Sequence, residues 1–465
     1  MSRMLSMDVD RGSAVSMSTQ IKAVVRSRVI DGTLPPGTRL PSSRSLAEDL
    51  GVSRSVVVQA YEQLVGEGYL RAAQGSGTRV SSHLPVDAFP DTTAVTPHPV
   101  RFDLRAGAMG VALFPSREWL IAYEGVVRSM DRGQRPAHNA LGAPELRAEL
   151  AGYLGRVRGV TAAPSEIAVT SGFTHALTAM CAVLREFGID RLAVEDPGDP
   201  RHRRVISRAG TEVIGVPVDH AGLDVAALAR SGARAVLVNP VKQLPTGVAL
   251  SGPRRDALVG WAEQTRGWVI EFDPEGHLWF GGGSAPLALQ RRLRDRIVYT
   301  GSTRSLLGPG PLLGWLVGPP AVLDALRRGQ ARWLGTPDTL TQLALADLVS
   351  RGLFDQHIRR VREVYRARHD ALRSAVASSL PGARALGVEA GSHSYVALPA
   401  GVDDARLALV AGRRLVLAQT GRDFRADGQA AEPALVVGYG AVERDHIAEA
   451  IALIGHLDER GAGRG

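Results

Sequence analysis

The stretch "LPSSRSLAEDLG", residues 40–51, has the pattern of a short helix followed by a tight turn. Ser42 or Ser43 is a favourable residue to begin that helix, because a serine hydroxyl can accept a hydrogen bond from a free backbone amide. The helix is predicted to end near Leu50, where Gly51 turns the chain. The segment after this turn indicates what kind of motif the helix belongs to.

The following residues complete a recognisable motif. Ser53 is placed to cap a second helix that runs to about Gly66, so the two helices and their turn predict a helix-turn-helix. Residues 69–81, "YLRAAQGSGTRVS", alternate around Gly-Ser-Gly and predict a two-stranded wing. Residues 21–30 show helical spacing of apolar side chains. A winged helix-turn-helix domain is therefore predicted over residues 18–80.

The second helix begins with Ser53, Arg54 and Ser55, which would face the major groove of DNA. An arginine there can pair with guanine through two hydrogen bonds, and serine hydroxyls can reach phosphates or base edges. A small helical adaptor with a solvated basic face is the alternative interpretation. The arginines of this predicted domain beyond residue 38 are Arg39, Arg44, Arg54, Arg71 and Arg79.

Composition limits the remaining interpretations. A chain of 465 residues is expected to form two or more domains, and its formal charge of +8 permits a nucleic-acid partner without proving one. No apolar run approaches the roughly 18 residues that span a membrane, and the N-terminus lacks a secretory signal pattern. We therefore expect a cytoplasmic protein with no membrane partner. Cys181, the one cysteine, is expected to pack in a core.

The remainder of the chain has a different organisation. Residues 1–17 are expected to be a disordered tail, and residues 81–100, rich in proline, an extended linker. Residues 101–465 alternate strand-like and helical segments, which predicts an α/β domain with a mostly parallel sheet. Ligands of such sheets bind at the carboxyl ends of the strands. The strand-like segments are "EIAVTSG", "RLAVEDP", "AVLVNP", "WVIEFDP" and "RIVYTGS".

Two resemblances follow from these motifs. Residues 32–81 resemble the winged helix-turn-helix of GntR-type bacterial regulators. By that resemblance, the expected DNA contacts are Arg44, Ser53, Arg54, Ser55, Gln74 and Gly75. Basic residues Arg39 and Arg79 are added to this set as candidate contacts with DNA.

The second domain resembles fold-type I aminotransferases, which use pyridoxal phosphate (PLP). The similar segments are "RFDLRAGAMGVALFP", "LRAELAGYLGRVRGV", "VEDPG", "QLPTGVALS" and "VVGYG". A GntR-like DNA-binding domain joined by a linker to an aminotransferase-like domain is the arrangement of MocR-type transcription regulators. The resemblance implies a homodimer that binds double-stranded DNA through its two DNA-binding domains.

The family's cofactor motif is altered in "YTGSTRSLLGPGPLLGW", residues 299–315. Aligned without gaps, the Schiff-base lysine falls on Ser305, and shifting the alignment by one residue puts Arg304 there. An arginine stays protonated and does not form the imine. The phosphate-binding arginine falls on Leu312, and Ser302 precedes them as a further candidate pocket residue.

A second motif is altered in "EFDPE", residues 271–275. The acid that pairs with the pyridine nitrogen falls on Phe272, and the tyrosine that contacts the ring oxygen falls on Pro274. Asp273 remains, but alternation along the strand is expected to turn its side chain to the other face.

Two further turns depart from the family. Asp199 stands where the family commonly has an aromatic residue, and Phe173 and Thr174 replace polar groups that hold the phosphate. PLP catalysis needs the lysine, the acid and the anion contacts together. These losses predict an aminotransferase-like domain that is catalytically inactive.

Lysine is scarce: only Lys22 and Lys242 occur among 55 basic residues. Three interpretations of Lys242 stay open: a solvated surface lysine, an electrostatic anchor for an anionic ligand, and a relocated Schiff-base lysine. His277 and His393 lack metal-ligand spacing, so no metal site is predicted. Of the tryptophans, Trp279, Trp315 and Trp333 are expected to be core residues rather than pocket residues.

The sequence thus predicts a transcription regulator without covalent PLP. Non-covalent PLP or another small anionic effector stays open as a ligand. The alternatives are a regulator that binds PLP non-covalently or through Lys242, and a working aminotransferase with a DNA-binding head.

Overall fold

The computed structural model describes residues 9–10, 12–13, 15–30, 32–73, 77–81, 100–131, 139–308, 310–333, 337–427 and 432–455. Most of the expected tail and linker lies outside these residues, and so do Gln74 and Gly75 of the predicted wing tip. The chain forms two compact units, Met1–Pro97 and His98–Gly465.

The first unit has three helices and a hairpin. They are α1 (Met17–Ile30), α2 (Ser43–Leu50), α3 (Arg54–Gly66), β1 (Leu70–Ala73) and β2 (Gly77–Val80). The strands pair antiparallel. Apolar side chains from all three helices and the hairpin form one core, which includes Ile21, Leu46, Val57, Leu64 and Val80. This is a winged helix-turn-helix.

The helix ends of the motif follow local chemistry, with one exception. The Ser42 hydroxyl accepts a hydrogen bond from the Ser45 amide at 3.1 Å, so Ser42 caps α2. Gly51 ends α2 with φ of 61°, in the left-handed region that glycine tolerates. The predicted cap by the Ser53 side chain is wrong. Ser53 precedes α3 but makes no side-chain cap, because its hydroxyl pairs with that of Ser55 at 2.8 Å.

The second unit contains fourteen strands in its described residues. They are β3 (Phe102–Asp103), β4 (Ile167–Thr170), β5 (Arg191–Asp196), β6 (Glu212–Asp219), β7 (Gly222–Leu223), β8 (Ala235–Val238), β9 (Trp268–Phe272), β10 (Ile297–Ser302), β11 (Gly314–Val317), β12 (Arg384–Leu386), β13 (His393–Ala397), β14 (Val416–Leu417), β15 (Gln419–Thr420) and β16 (Ala434–Gly438).

The central sheet has eight strands in the order β4-β11-β10-β9-β8-β5-β6-β7. The run from β10 to β6 is parallel, whereas β11 lies antiparallel to both its neighbours and β7 antiparallel to β6. A smaller antiparallel sheet has the order β12-β13-β16-β15, and β14 pairs with β3. This confirms the predicted α/β class with a mostly parallel sheet.

The helices of the second unit pack on the central sheet and, towards the end of the chain, on the smaller sheet. They are α4 (Ser116–Asp131), α5 (Pro144–Arg158), α6 (Phe173–Glu186), α7 (Pro200–Arg208), α8 (Val225–Arg230), α9 (Gly252–Thr265), α10 (Arg304–Leu307), α11 (Pro320–Trp333), α12 (Thr339–Ser350), α13 (Leu353–Ser379), α14 (Asp404–Arg413) and α15 (Arg444–Gly455). No helix among the described residues is both long and apolar enough to cross a bilayer.

Alternation along the strands divides their side chains between separate cores. Tyr299 and Trp315 belong to the core that includes α5, α12 and α13, whereas Val298 and Leu316 belong to the core that includes α6 and α11. Cys181 is fully buried in the latter core. Burial on both faces explains why these strands are almost continuously apolar.

A buried ion pair ties one helix to the central sheet. Arg158, the last residue of α5, donates from Nε to Asp273 Oδ2 at 2.7 Å, and both side chains are 1 % exposed or less. The Tyr299 hydroxyl and the Gly276 amide also donate to Asp273, at 3.0 and 2.8 Å. These contacts compensate the buried carboxylate and fix the turn after β9.

We predict that Arg158→Leu lowers the free energy of unfolding by about 3–5 kcal/mol, because Asp273 then stays buried without its cation. Arg156→Leu is the matched control on the same helix. Arg156 pairs with Asp355 at the surface, at 2.8 Å, and its loss should cost under about 1 kcal/mol. Denaturant unfolding followed by tryptophan fluorescence measures both. Equal losses would contradict the role of the buried pair.

Candidate functional site

The start of α3 presents the predicted recognition residues to solvent. Ser53, Arg54 and Ser55 are all exposed, and Arg54 Nε is 3.4 Å from the Ser43 hydroxyl of α2. Arg44 is also exposed, on the first turn of α2. An exposed arginine at a helix N-terminus can reach a base edge while nearby backbone amides face phosphate.

Three arginines lie side by side in the wing. Arg71 of β1 is paired with Arg79 of β2, and Arg79 also forms a bridge with Arg39. Arg79 Nη1 donates to the Gly37 carbonyl at 3.0 Å, which fixes the middle guanidinium. Like charges in adjacent strand positions repel one another. An anion such as DNA phosphate would relieve that repulsion.

The second unit has a cavity of about 440 Å³ at the carboxyl ends of its parallel strands. Its lining includes ten of the eleven residues predicted for the altered cofactor pocket. They are Phe173, Thr174, Asp199, Lys242, Phe272, Pro274, Ser302, Arg304, Ser305 and Leu312. Asp273 is the exception. It does not line the cavity, because strand alternation turns it to Arg158 on the other face.

One wall of the cavity is aromatic. Phe173 opens α6 and Phe272 ends β9, and their rings stack with centroids 3.6 Å apart at an interplanar angle of 18°. His202 meets both rings edge-on, at 4.8 Å from Phe173 and 5.3 Å from Phe272. Desolvation lowers the pKa of His202, although the charge of Asp199 opposes the shift. We call Phe173, His202 and Phe272 the aromatic wall.

An apolar side chain lies close to the residue that precedes α6, beside this wall. Gly172 precedes α6, and a Cβ built on it would lie 3.1 Å from Cδ1 of Leu312. Leu312 therefore brings an apolar side chain next to the start of α6, a place where backbone amides favour an anion. The Ser302 hydroxyl is also occupied, since it accepts a hydrogen bond from the Arg304 amide at 3.1 Å.

Asp199 is committed to local structure. It caps α7 by accepting from the Arg201 amide at 2.8 Å, and it binds the Arg201 guanidinium at 2.6 Å. Desolvation acts to raise the pKa of Asp199, but His202 and Arg201 outweigh it and hold the pKa at about 2. Asp199 is thus an ionised, paired carboxylate at neutral pH.

Lys242 is buried, so its interpretation as a solvated surface lysine is wrong. Its side chain is 1 % exposed, and Nζ donates to the carbonyls of Ala390 and of His393, the latter at 2.6 Å. Desolvation lowers the pKa of Lys242 to about 8, although Glu275 opposes the shift. The turn after β8, which carries Lys242, is thereby tied to the segment that enters β13.

Glu275 completes this buried polar group. It accepts from the Ser392 amide at 3.0 Å and hydroxyl at 2.8 Å, and its Oε2 is 3.4 Å from His393 Nδ1. Desolvation acts to raise the pKa of Glu275, but His393, Lys242 and Ser392 together lower it to about 2. Glu275, Ser392 and His393 line the cavity, and the sequence analysis did not place them there.

Further cavity residues also went unpredicted. Glu195 lies in the last part of β5, and desolvation raises its pKa to about 8. Its position at the end of a strand was the available signal, whereas Phe272 was placed by the resemblance of residues 271–275 to the family's cofactor motif. Arg201, His202 and Arg203 line the cavity from α7, where no sequence motif marked them.

Most of the histidines and tryptophans that were considered from the sequence lie outside the cavity. His277 is buried, with Nδ1 3.0 Å from the Tyr153 hydroxyl. Trp315 is in the core, and neither Trp315 nor Trp279 lines the cavity. The Trp333 side chain lies outside the described residues. No cluster of potential metal ligands occurs in the described parts of the chain.

A winged helix-turn-helix in one unit and an aminotransferase-type sheet with a cavity in the other define a class: a DNA-binding regulator built with an enzyme fold. Comparison with known families supports both halves. Residues 17–80 match "Bacterial regulatory proteins, gntR family", and residues 131–426 match "Aminotransferase class I and II".

Whole-length relatives combine the same two parts. The pyridoxine biosynthesis transcriptional regulator PdxR of Corynebacterium glutamicum is 33% identical over 94% of this chain and 95% of its own length. The probable rhizopine catabolism regulatory protein MocR of Rhizobium meliloti is 31% identical over 77% of each chain. The chain belongs to the MocR family of GntR-type transcription regulators.

A solved structure shows the fold of the second unit. The kynurenine aminotransferase of Pyrococcus horikoshii superposes with a TM-score of 0.71 at 23% identity, covering 79% of this chain and 93% of that enzyme. At that identity the likeness concerns the fold alone.

The cavity residues do not fit PLP as this fold ordinarily holds it. The stacked Phe272 ring offers no carboxylate to a pyridine nitrogen, and Leu312 brings methyl groups, not a charge, next to Gly172 before α6. Ser305 has no amine. The lysine that does line the cavity, Lys242, donates to two backbone carbonyls.

We predict that Arg54→Ala weakens operator binding by about 1–3 kcal/mol and relaxes the preference at one base position. Arg71→Ala, on the exposed wing strand, is expected to weaken binding evenly across sequences and to reduce the salt slope by about 1. Binding of randomised operators at several salt concentrations separates the two effects. Unchanged affinity and preference in Arg54→Ala would show that α3 does not read bases.

Proposed function

We propose that this MocR-family regulator is a cytoplasmic homodimer whose aminotransferase-like domain is catalytically inactive and senses a small molecule without covalent PLP. The observation that carries the proposal is the aromatic wall. Phe272 stacks on Phe173 at 3.6 Å in the place of the acid that would pair with the pyridine nitrogen. Without that acid the ring is a weak electron sink.

The position of the lysines supports the same conclusion. Lys22 lies on α1 of the first unit, 3.8 Å from Glu67. Lys242 is the remaining amine, and its Nζ satisfies the Ala390 and His393 carbonyls. An imine at Lys242 would use up N–H donors that these buried carbonyls need, and an unsatisfied buried carbonyl costs about 1–3 kcal/mol. We therefore favour an electrostatic role for Lys242, in which its ammonium adds positive charge to the cavity while its N–H groups stay on the two carbonyls.

An exposed apolar face on α4 supports a homodimer. Leu120, Ile121 and Val127 of α4 are between 40 and 67% exposed, and Val111, before the helix, is 71% exposed. Clusters of exposed apolar side chains commonly mark interaction surfaces. A two-fold dimer would present two recognition helices, as palindromic operators require.

The second candidate function is a regulator that binds PLP non-covalently or through Lys242. One relative is named for regulating pyridoxine biosynthesis, which connects that protein with vitamin B6 metabolism. The cavity of about 440 Å³ and the presence of Lys242 in its lining favour this alternative. An active aminotransferase is disfavoured because both the acid and the Ser305 amine are missing.

We predict that PLP and borohydride together leave no pyridoxyl group in the second unit. The reason is that Lys242, its one lysine, is held by two carbonyls in a site without the other PLP contacts. Peptide mass spectrometry of the full-length protein measures the adduct. A stoichiometric pyridoxyl group on Lys242, absent from the Lys242→Met variant, would overturn the proposal.

We further predict that Ser305→Lys does not create a transaminase. Phe272 still offers no acid to the ring nitrogen, and Leu312 still offers no charge to the phosphate. Each missing charge-assisted contact removes roughly 1.5–3 kcal/mol of binding. The visible spectrum and turnover with a panel of amino acids and keto acids test this. A tightly bound yellow cofactor with measurable turnover would show that the cavity is an enzyme site lacking one residue.

A further inference from the structure

The charge balance of the cavity favours an anionic ligand. Its described lining has four basic side chains, Arg201, Arg203, Arg304 and Lys242, and three acidic ones, Asp199, Glu195 and Glu275. Burial raises the pKa of Glu195 to about 8, so that carboxyl is mostly protonated at neutral pH. Four cations then face two carboxylates. The excess positive charge has no counter-ion within the described lining.

Most of the cations are already engaged. Arg201 binds Asp199 through three short contacts, and Arg203 Nη1 donates to the Gly198 and Phe424 carbonyls at 2.8 and 2.9 Å. Lys242 is likewise engaged with two carbonyls.

Arg304 differs from these residues. It is exposed on the first turn of α10 and lines the cavity, and its guanidinium forms no ion pair or hydrogen bond with the described residues. A guanidinium binds one carboxylate well, through two parallel hydrogen bonds. Because the other three cations of the described lining are engaged, this one guanidinium matches the single charge of a carboxylate better than the double charge of a phosphate dianion. The site is therefore suited to a single carboxylate.

The aromatic wall selects the rest of the ligand. Phe173, His202 and Phe272 all line the cavity, and Phe272 keeps part of its surface exposed. Aromatic pairs attract one another beyond what the burial of their area alone provides. The remaining lining includes the apolar side chains of Val194, Leu237, Val238 and Leu244. A volume of about 440 Å³ is in the range of small-molecule sites.

We propose that this cavity binds an aromatic monocarboxylate non-covalently, with its ring against the aromatic wall and its carboxylate on Arg304. The inference rests on the proposed function, because it takes the cavity to be free of covalent PLP. It names the class of effector that the second unit senses.

Isothermal titration of the full-length protein tests the ligand class with two aromatic acids, phenylacetate and indole-3-acetate. Cyclohexylacetate keeps the charge without the aromatic ring, and 2-phenylethanol keeps the ring without the charge. At least one aromatic acid is expected to bind. Both comparison compounds are expected to bind at least roughly 10-fold more weakly than that acid. Failure of both acids to bind below about 10 mM would overturn the inference.

Variants locate the site. Arg304→Gln is expected to weaken binding of the aromatic acid by roughly 10-fold or more. The control Arg292→Gln, at a surface arginine paired with Asp256, is expected to leave it unchanged. Phe272→Leu should reduce the preference for phenylacetate over cyclohexylacetate while keeping the fold, which circular dichroism checks. Binding that Arg304→Gln does not alter would also overturn the inference.

Two further measurements on the same preparation separate this inference from the proposed function. A protein that binds its operator but neither aromatic acid would overturn the proposed ligand class and leave the proposed function standing. A pyridoxyl adduct on Lys242 would instead overturn both the proposed function and the inference.

Discussion

The contact between the rings of Phe173 and Phe272 determines what the second unit can do. It joins the start of α6 to the end of β9 at the edge of the sheet where this fold places its ligands. Two phenyl rings with centroids 3.6 Å apart exclude water and leave no carboxylate at that point. The cavity therefore lies where this fold places its ligands, and under the proposed function Phe272 stands in place of the acid that would make PLP an electron sink.

Around that contact, buried charges are compensated within the protein. Asp273 is neutralised by Arg158 beneath the sheet, and Glu275 is held by His393 and Ser392 at the cavity. Lys242 serves two carbonyls next to β13. Groups that titrate or react in an enzyme are here fixed in structural pairs. This pairing of buried charges fits the proposed function, in which the cavity binds a ligand without reacting with it.

The parts that sequence predicted well depend on local chemistry. The caps at Ser42 and Gly51, and the alternating wing around residues 74–76, are encoded by neighbours along the chain, so the winged helix-turn-helix was recognisable. The place of Phe272 in the cavity lining was predicted from the resemblance of residues 271–275 to the family's cofactor motif. The ring contact with Phe173 required knowledge of the loop between β4 and α6.

The parts that were missed depend on distant partners. Lys242 is buried by carbonyls 148 and 151 residues away in the chain, and no local pattern around "NPVKQLP" indicates that. Ser53 precedes α3 as predicted but bonds to Ser55 instead of capping. His202 and Arg203 reach the cavity because α7 packs next to the turn after β5, and their sequence context resembles an ordinary basic helix.

The central claim is that this regulator binds its operator without PLP in its aminotransferase-like domain. Footprinting of the cofactor-free protein on the DNA upstream of its own gene, with and without added PLP, tests it most directly. The account predicts the same protected bases, and the same protein concentration for half-protection, in both conditions. A footprint that appears only with PLP, or a half-protection concentration that shifts by roughly 10-fold or more on its addition, would contradict the account.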